Sequence, residues 1–296
     1  MADTVKLPVW GTMTHTYRFF WAERRQFWLL ALPAIAVVSL LSALADWSVI
    51  TAAGKSLGTL SGNPSFQELP LSAIILTLVA TVAGIWAYVC YSVAWHRSYL
   101  VPGEQVTIGS CYLWRARQGR FLWTLIKVAL ITALAWIPAS IVFMIVAGFG
   151  AWSAGDGGFS AQQGPGVLIV MAFLGLLIAV VYARLAVLLP AAAVDDVMTL
   201  GRVWALTRGN GWRLLGIIVL VSIPIVVILI PVTILLGFAS SSAPDYGPLT
   251  ASLVQHLLVQ FLSYIYIAVG ISALSVCYAR LAAPSGDEGG ELGATQ

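Results

Sequence analysis

Tyr182-Ala183-Arg184-Leu185-Ala186-Val187-Leu188-Leu189-Pro190 leads, through residues 191–203, into Trp204-Ala205-Leu206-Thr207-Arg208-Gly209-Asn210-Gly211-Trp212. Reading this stretch decides the fold. It leaves one long apolar run, stops at a proline that cannot continue a helix, crosses a short two-faced segment and opens a second apolar run. Aromatic rings and arginines are the side chains a chain places in a headgroup layer, because each joins an apolar body to a polar tip. The stretch is therefore expected to be a hinge on one face of a membrane.

The composition agrees. Of 296 residues, 60% are apolar and 9% charged, against roughly 25% charged in a soluble domain. So much apolar surface calls for the bilayer as solvent. A formal net charge of +3 is too small to point to nucleic acid.

Working outward, six apolar runs predict six transmembrane helices, over 27–45, 71–95, 121–147, 167–189, 212–238 and 249–279. The first is the shortest, and at about 1.5 Å per residue it just crosses a core of roughly 30 Å. Three shorter mixed segments, 8–25, 106–120 and 194–211, are too polar to span and are expected to be interfacial helices. The tail 282–296, rich in Gly and Glu, is expected to be disordered. With six crossings, all Lys and Arg except Lys55 fall on or near the face of the membrane that holds the N-terminus. The positive-inside rule then places both termini in the cytoplasm. The run after Arg24-Arg25, closed by Ala43-Leu44-Ala45, also resembles a cleavable signal peptide. Its length and its distance from the start favour retention as the first span.

The junction recurs. Entrances to the odd-numbered spans carry Trp21, Arg24 and Trp28; Trp114, Arg117 and Phe121; and Trp204, Arg208 and Trp212. Exits of the even-numbered spans read Trp95-His96-Arg97, Tyr182-Ala183-Arg184-Leu185-Ala186 and Tyr278-Ala279-Arg280-Leu281-Ala282. These anchors predict three interfacial-helix-plus-hairpin repeats, 8–97, 106–184 and 194–281, in one membrane domain covering 1–281. Arg24, Arg97, Arg117, Arg184, Arg208 and Arg280, with Trp28, Trp204 and Trp212, are then candidates for an interface with anionic headgroups. Two readings stand. The collar anchors the bundle, or its arginines converge on the axis and hold phosphate groups.

Tyr182, Arg184, Leu185, Leu189, Pro190 and Ala191, followed by Leu206-Thr207-Arg208-Gly209-Asn210, resemble the membrane domain fused to some glycerophosphodiester phosphodiesterases. The resemblance extends to stand-alone bacterial inner-membrane proteins of the YciC-like kind. It covers about residues 180–225 and implies a six-helix bacterial membrane module. The phosphodiesterase catalytic domain has no counterpart among these residues, so that activity is not carried over.

Catalytic chemistry is not legible. The acids are scattered, and Asp195-Asp196 after Pro190 is read as a helix cap. His15, His96 and His256 are isolated and read as interface residues. Cys90, Cys111 and Cys277 lack paired spacing, which favours neither a disulfide framework nor a zinc site. Gly54-Lys55-Ser56 resembles the end of a P-loop, but Val49 stands where that motif needs glycine. Asn63-Pro64-Ser65 is excluded as a glycosylation site by its middle proline. Lys127, inside the third run, is expected to snorkel to the cytoplasmic face. Pro33, Pro138, Pro224 and Pro231 are expected to kink their spans, with neighbours satisfying the freed carbonyls. Ala36, Ser39 and Ala43 form a small-residue packing stripe.

The reading is an all-α, six-span, non-enzymatic membrane module without cofactor. It associates with membrane lipids, and a membrane-protein partner or a homo-oligomer is compatible with it. The alternative is a transporter of a small anionic or lipid-derived solute.

Overall fold

The computed structural model describes residues 6–53, 71–153, 164–242 and 248–282. The Gly54-Lys55-Ser56 and Asn63-Pro64-Ser65 stretches, Lys55 with them, and the tail beyond Ala282 lie outside these. Among the described residues the chain is helical, without strands. In order it forms α1 (Val9–Ala22), α2 (Arg24–Ala53), α3 (Leu71–Leu100), α4 (Ile108–Cys111) and α5 (Ala116–Ser153). There follow α6 (Gly164–Leu185), α7 (Leu188–Ala193), α8 (Leu200–Leu206), α9 (Gly211–Ser242) and α10 (Pro248–Ala282). Among the described residues, six stretches are long and apolar enough to cross a membrane: α2, α3, α5, α6 with α7, α9 and α10. The protein is thus a polytopic membrane protein.

Helix α2 packs most extensively on α10 and α3. Behind that pair a ring closes, running α3, α10, α9, α6, α5 and back to α3. Helix α5 is the least covered. Only 11% of its most apolar window is buried inside the chain, against 44% for α2. The uncovered remainder is apolar, as a lipid-facing surface should be.

The short segments meet the expectation of a helix unevenly. Residues 8–25 give a true amphipathic helix: α1 buries Thr12, Thr16 and Phe20 on one face and exposes Trp10 and Trp21. It packs on α10 and α9. Residues 106–120, expected to be helical, give one turn only. Thr107 and Ser110 close a reciprocal capping box around α4. A separate helix then starts at Ala116, where the Gln118 side chain accepts from the Arg115 N–H (3.1 Å). Residues 194–211 yield the seven-residue α8, capped by Thr199, whose hydroxyl accepts from the Arg202 N–H.

The fourth span reaches Ala193, but its helix breaks before Leu189. Proline at 190 lacks an N–H, and its ring displaces the carbonyl four residues back, that of Ala186. Helix α6 accordingly stops at Leu185, and Pro190 falls inside α7. Asp195-Asp196 does not cap the following helix. It closes α7 instead: the Asp196 N–H bonds to the Ala191 carbonyl (2.9 Å) and the Asp195 N–H to that of Ala192 (3.4 Å). With Asp195 at φ 65°, this is a Schellman ending with aspartate where glycine is usual.

Two proline-bearing turns take a hydrogen bond from outside their helices. The Tyr112 hydroxyl donates to the carbonyl of Leu30, three residues before Pro33, and Tyr17 donates to Val221, three before Pro224 (2.7 Å). Ser39 and Ala43 of the small-residue stripe are buried, whereas Ala36 is exposed.

Candidate functional site

The collar forms at the end of the bundle where α3, α7 and α10 finish and α9 begins. Hydrogen bonds stitch its segments together. The Leu7 N–H donates to Asn210 Oδ1 (3.0 Å), Arg213 to the Leu7 carbonyl (2.8 Å), and Gln26 to the Val106 carbonyl (2.9 Å). Segments 8–25, 106–120 and 194–211 thus all touch this one end.

Most of the candidate arginines are engaged within the chain. Arg97 forms an ion pair with Glu104, donates to the Ala193 carbonyl (3.3 Å) and lies 3.8 Å from Asp195. Arg117 reaches the same Glu104 at 3.7 Å. Arg184 donates from Nε to the Thr207 hydroxyl (2.9 Å) and from a terminal nitrogen to the Trp204 carbonyl (2.8 Å). Its guanidinium lies 3.6 Å over the Trp204 ring. Arg280 donates to Thr12 Oγ1 at 2.6 Å. Arg24, exposed, turns back to the Trp21 carbonyl (3.0 Å). Arg208 is exposed and holds no side-chain partner among the described residues. Of the six, only Arg97 and Arg117 share a partner. Trp204 and Trp212 are exposed, and Trp28, also exposed, stacks on Phe261 at 5.3 Å.

The Leu-Thr-Arg-Gly-Asn segment has structural work here. Thr207 receives Arg184, Gly209 supplies a left-handed turn (φ 77°), and the buried Asn210 receives the Leu7 N–H.

Sequence reasoning missed two features. The first is a recess of about 390 Å³ beside the collar, edged by Arg120, Trp123, Thr124, Lys127, Asp195 and Thr199. Arg120 pairs with Asp195 at 2.6 Å, while Asp196 takes Arg202 (3.3 Å) and the Tyr278 hydroxyl (2.8 Å). Lys127 is exposed and makes no ion pair with any described residue.

The second is a cavity of about 150 Å³ in the middle of the five-helix ring, lined by residues of α3, α5, α6, α7, α9 and α10. His96, expected at the interface, is instead 1% exposed and lines it. Its neighbour Trp95, read as a headgroup-layer ring, is wholly buried. Its indole N–H lies 3.0 Å from the Ala268 carbonyl and 2.9 Å from Ser272 Oγ. One signal could have disclosed this. Tyr88, Tyr91 and Trp95 follow helical spacing on one face of α3, opposite Ser272 and Ser275 of α10.

Elsewhere, His15 meets the Tyr99 hydroxyl (3.0 Å). Burial, and then the charges of Arg280 and Arg18, hold its ring below the ordinary imidazole range. At the far end of the bundle, Asp46 accepts from Ser252 (2.6 Å) and meets His256 Nε2 at 2.9 Å, tying α2 to α10. Cys90, Cys111 and Cys277 are buried free thiols, and burial pushes Cys111 up to about 12. Among the described residues, no three of His, Cys, Asp and Glu come together as metal ligands would.

Comparison with known protein families, with curated proteins and with solved structures finds no match to this chain.

Proposed function

We propose that the protein is a non-enzymatic module of the bacterial inner membrane, with both termini cytoplasmic, that associates with anionic lipid headgroups as an accessory or assembly factor. In this reading it is built of three hairpin units like those of the resembled family. One observation carries the lipid reading: exposed Lys127 makes no ion pair with a described residue, at a recess it shares with Trp123, with Arg120 paired to Asp195, and with Asp196. A cation beside an aromatic ring, at the edge of an apolar belt, suits a headgroup phosphate. The engaged arginines, Arg97, Arg117, Arg184 and Arg280, brace the collar. Arg24, Arg208, Trp204 and Trp212 add exposed charge and ring surface on the same rim. The thinly covered apolar face of α5 leaves room for lipid or for a partner helix.

The test is native mass spectrometry of the detergent-purified chain with cardiolipin, phosphatidylglycerol or phosphatidylcholine. Retention of the two anionic lipids over phosphatidylcholine is expected, falling severalfold in Lys127→Gln and in a Lys127→Gln/Arg208→Gln double variant. Equal retention by wild type and variants sinks the reading.

A transport reading draws its support from the central cavity. With no charged residue in its lining, an uncharged lipid-derived solute fits it better than an anion.

A further inference from the structure

The central cavity is uncharged but polar. Around it stand the hydroxyls of Tyr88, Tyr182, Ser222 and Tyr266 and the imidazole of His96, and the rest of the lining is apolar. The Ser222 and Tyr266 oxygens are 3.5 Å apart. His96 Nδ1 is occupied by the Ser275 hydroxyl (2.8 Å), while Nε2 is buried with no partner among the described residues. An orphaned buried nitrogen calls for a partner from outside the protein. A space of about 150 Å³ exceeds what one water needs, since each takes roughly 30 Å³ in the liquid.

Position narrows the occupant. Tyr88 lies about 18 Å along α3 from its collar end, and Ser222 about 16 Å along α9 from its start. The cavity therefore reaches well inside the apolar zone. It is not sealed: Tyr182 and Tyr266 are 42% and 41% exposed, and the outer surfaces of α6 and α9 carry exposed Leu, Ile and Val. A molecule arriving from the bilayer meets hydroxyl groups there and no charge. A charged head would be desolvated without a counter-ion, whereas an alcohol or ester would find donors and acceptors on both sides.

We propose that this cavity binds the uncharged, hydroxyl- or ester-bearing head of a bilayer lipid of the acylglycerol kind. The site is separate from the recess at Lys127 and stands or falls independently of it. The same chemistry could be supplied by a free polyol, so the experiment carries both sources.

The full chain in nanodiscs is labelled with a diazirine-bearing dioleoylglycerol, with unlabelled dioleoylglycerol, phosphatidylglycerol or xylitol as competitors, and the modified peptides are sequenced. Expected is saturable labelling of α6 or α10 peptides near Tyr182 or Tyr266, displaced by dioleoylglycerol and not by equimolar phosphatidylglycerol. Tyr182→Phe/Tyr266→Phe, which keeps both rings, should weaken displacement at least tenfold, while Ser140→Ala on the outer face of α5 leaves it unchanged. Displacement by xylitol as well would make a free polyol the source of the same chemistry. Labelling elsewhere, displacement by phosphatidylglycerol as effective as by dioleoylglycerol, or an unaltered double variant would overturn the proposal. Should the double variant fold poorly, the wild-type peptide map and competitor ranking decide alone.

Discussion

The Tyr17 hydroxyl donates to the carbonyl of Val221 at 2.7 Å, one turn ahead of Pro224. Proline removes the N–H that would reach Leu220, four residues back, and opens the turn between them; the Tyr17 hydroxyl bonds the next carbonyl in that opened turn. Burial pushes the Tyr17 hydroxyl up in pKa, so it remains a donor at any working pH. Removing the donor leaves an acceptor in an apolar setting, at a cost of about 1–3 kcal/mol. Tyr17→Phe should therefore lower the melting temperature in detergent. The cost should shrink when Pro224→Ala restores the regular ladder. Equal costs in both backgrounds, measured as a double-mutant cycle, would show that the proline and the tyrosine are uncoupled.

Asp195 holds a left-handed backbone, φ 65°, which costs a residue with a Cβ roughly 1 kcal/mol more than glycine. Its carboxylate answers Arg120 at 2.6 Å and lies near Arg97. Asp195→Ala loses the ion pairs and keeps the backbone penalty, whereas Asp195→Gly loses the pairs but relieves it. The expected order of thermal stability is Asp195→Gly above Asp195→Ala, by about 1 kcal/mol. The reverse order would mean that the ending of α7 does not depend on this residue's conformation.

His15 gives the collar a modest pH response. Its folded pKa is depressed, by burial and then by Arg280 and Arg18, so the neutral ring is the native form. The associated stability is complete above the unfolded value of about 6.5. It is lost as pH falls through the lower folded value, because the unfolded chain takes the proton first. The ring is largely exposed, so screening keeps the effect small. Melting of wild type and His15→Gln should differ most near pH 7 and draw together as pH falls below the unfolded value of about 6.5. Curves that run parallel across this range would assign the response to another group.

How much of this was readable from residues alone depends on what periodicity reports. Six spans follow from hydropathy, since apolar length is all a bilayer demands. The helix ends did not follow. Pro190 acts on Ala186, four residues upstream, so its break lies where the sequence still looks uninterrupted. The 106–120 segment has apolar spacing but is interrupted by local hydrogen bonds, those of Thr107 with Ser110 and Gln118 with Arg115. The arginines were identified as an interfacial set, but their engagement depends on long-range partners such as Thr12 for Arg280. Trp95 and His96 were misplaced for a related reason. An aromatic beside a charged residue at a span exit fits the headgroup layer, but α10 covers this exit, and only tertiary packing reveals that.

Gly211 opens α9 where it crosses α6. A Cβ built there would lie 3.1 Å from Val180 Cγ1 and 3.3 Å from Arg184 Cδ. The second neighbour is the stem of the arginine fixed by Thr207 and stacked on Trp204, so it cannot swing aside without breaking those contacts. Gly211→Ala should cost about 1–3 kcal/mol by overpacking, although alanine is the better helix former. The two effects separate in an Arg184→Ala background, where the stem is gone and the gain in helix propensity should reduce the penalty. Lysine at 184 cannot span both Thr207 and the Trp204 carbonyl as the planar fork does, so Arg184→Lys should lose much of what Arg184→Ala loses. Melting temperatures of Gly211→Ala, Arg184→Ala and their combination read the coupling, and an additive pair would place the origin of the glycine's cost outside this contact.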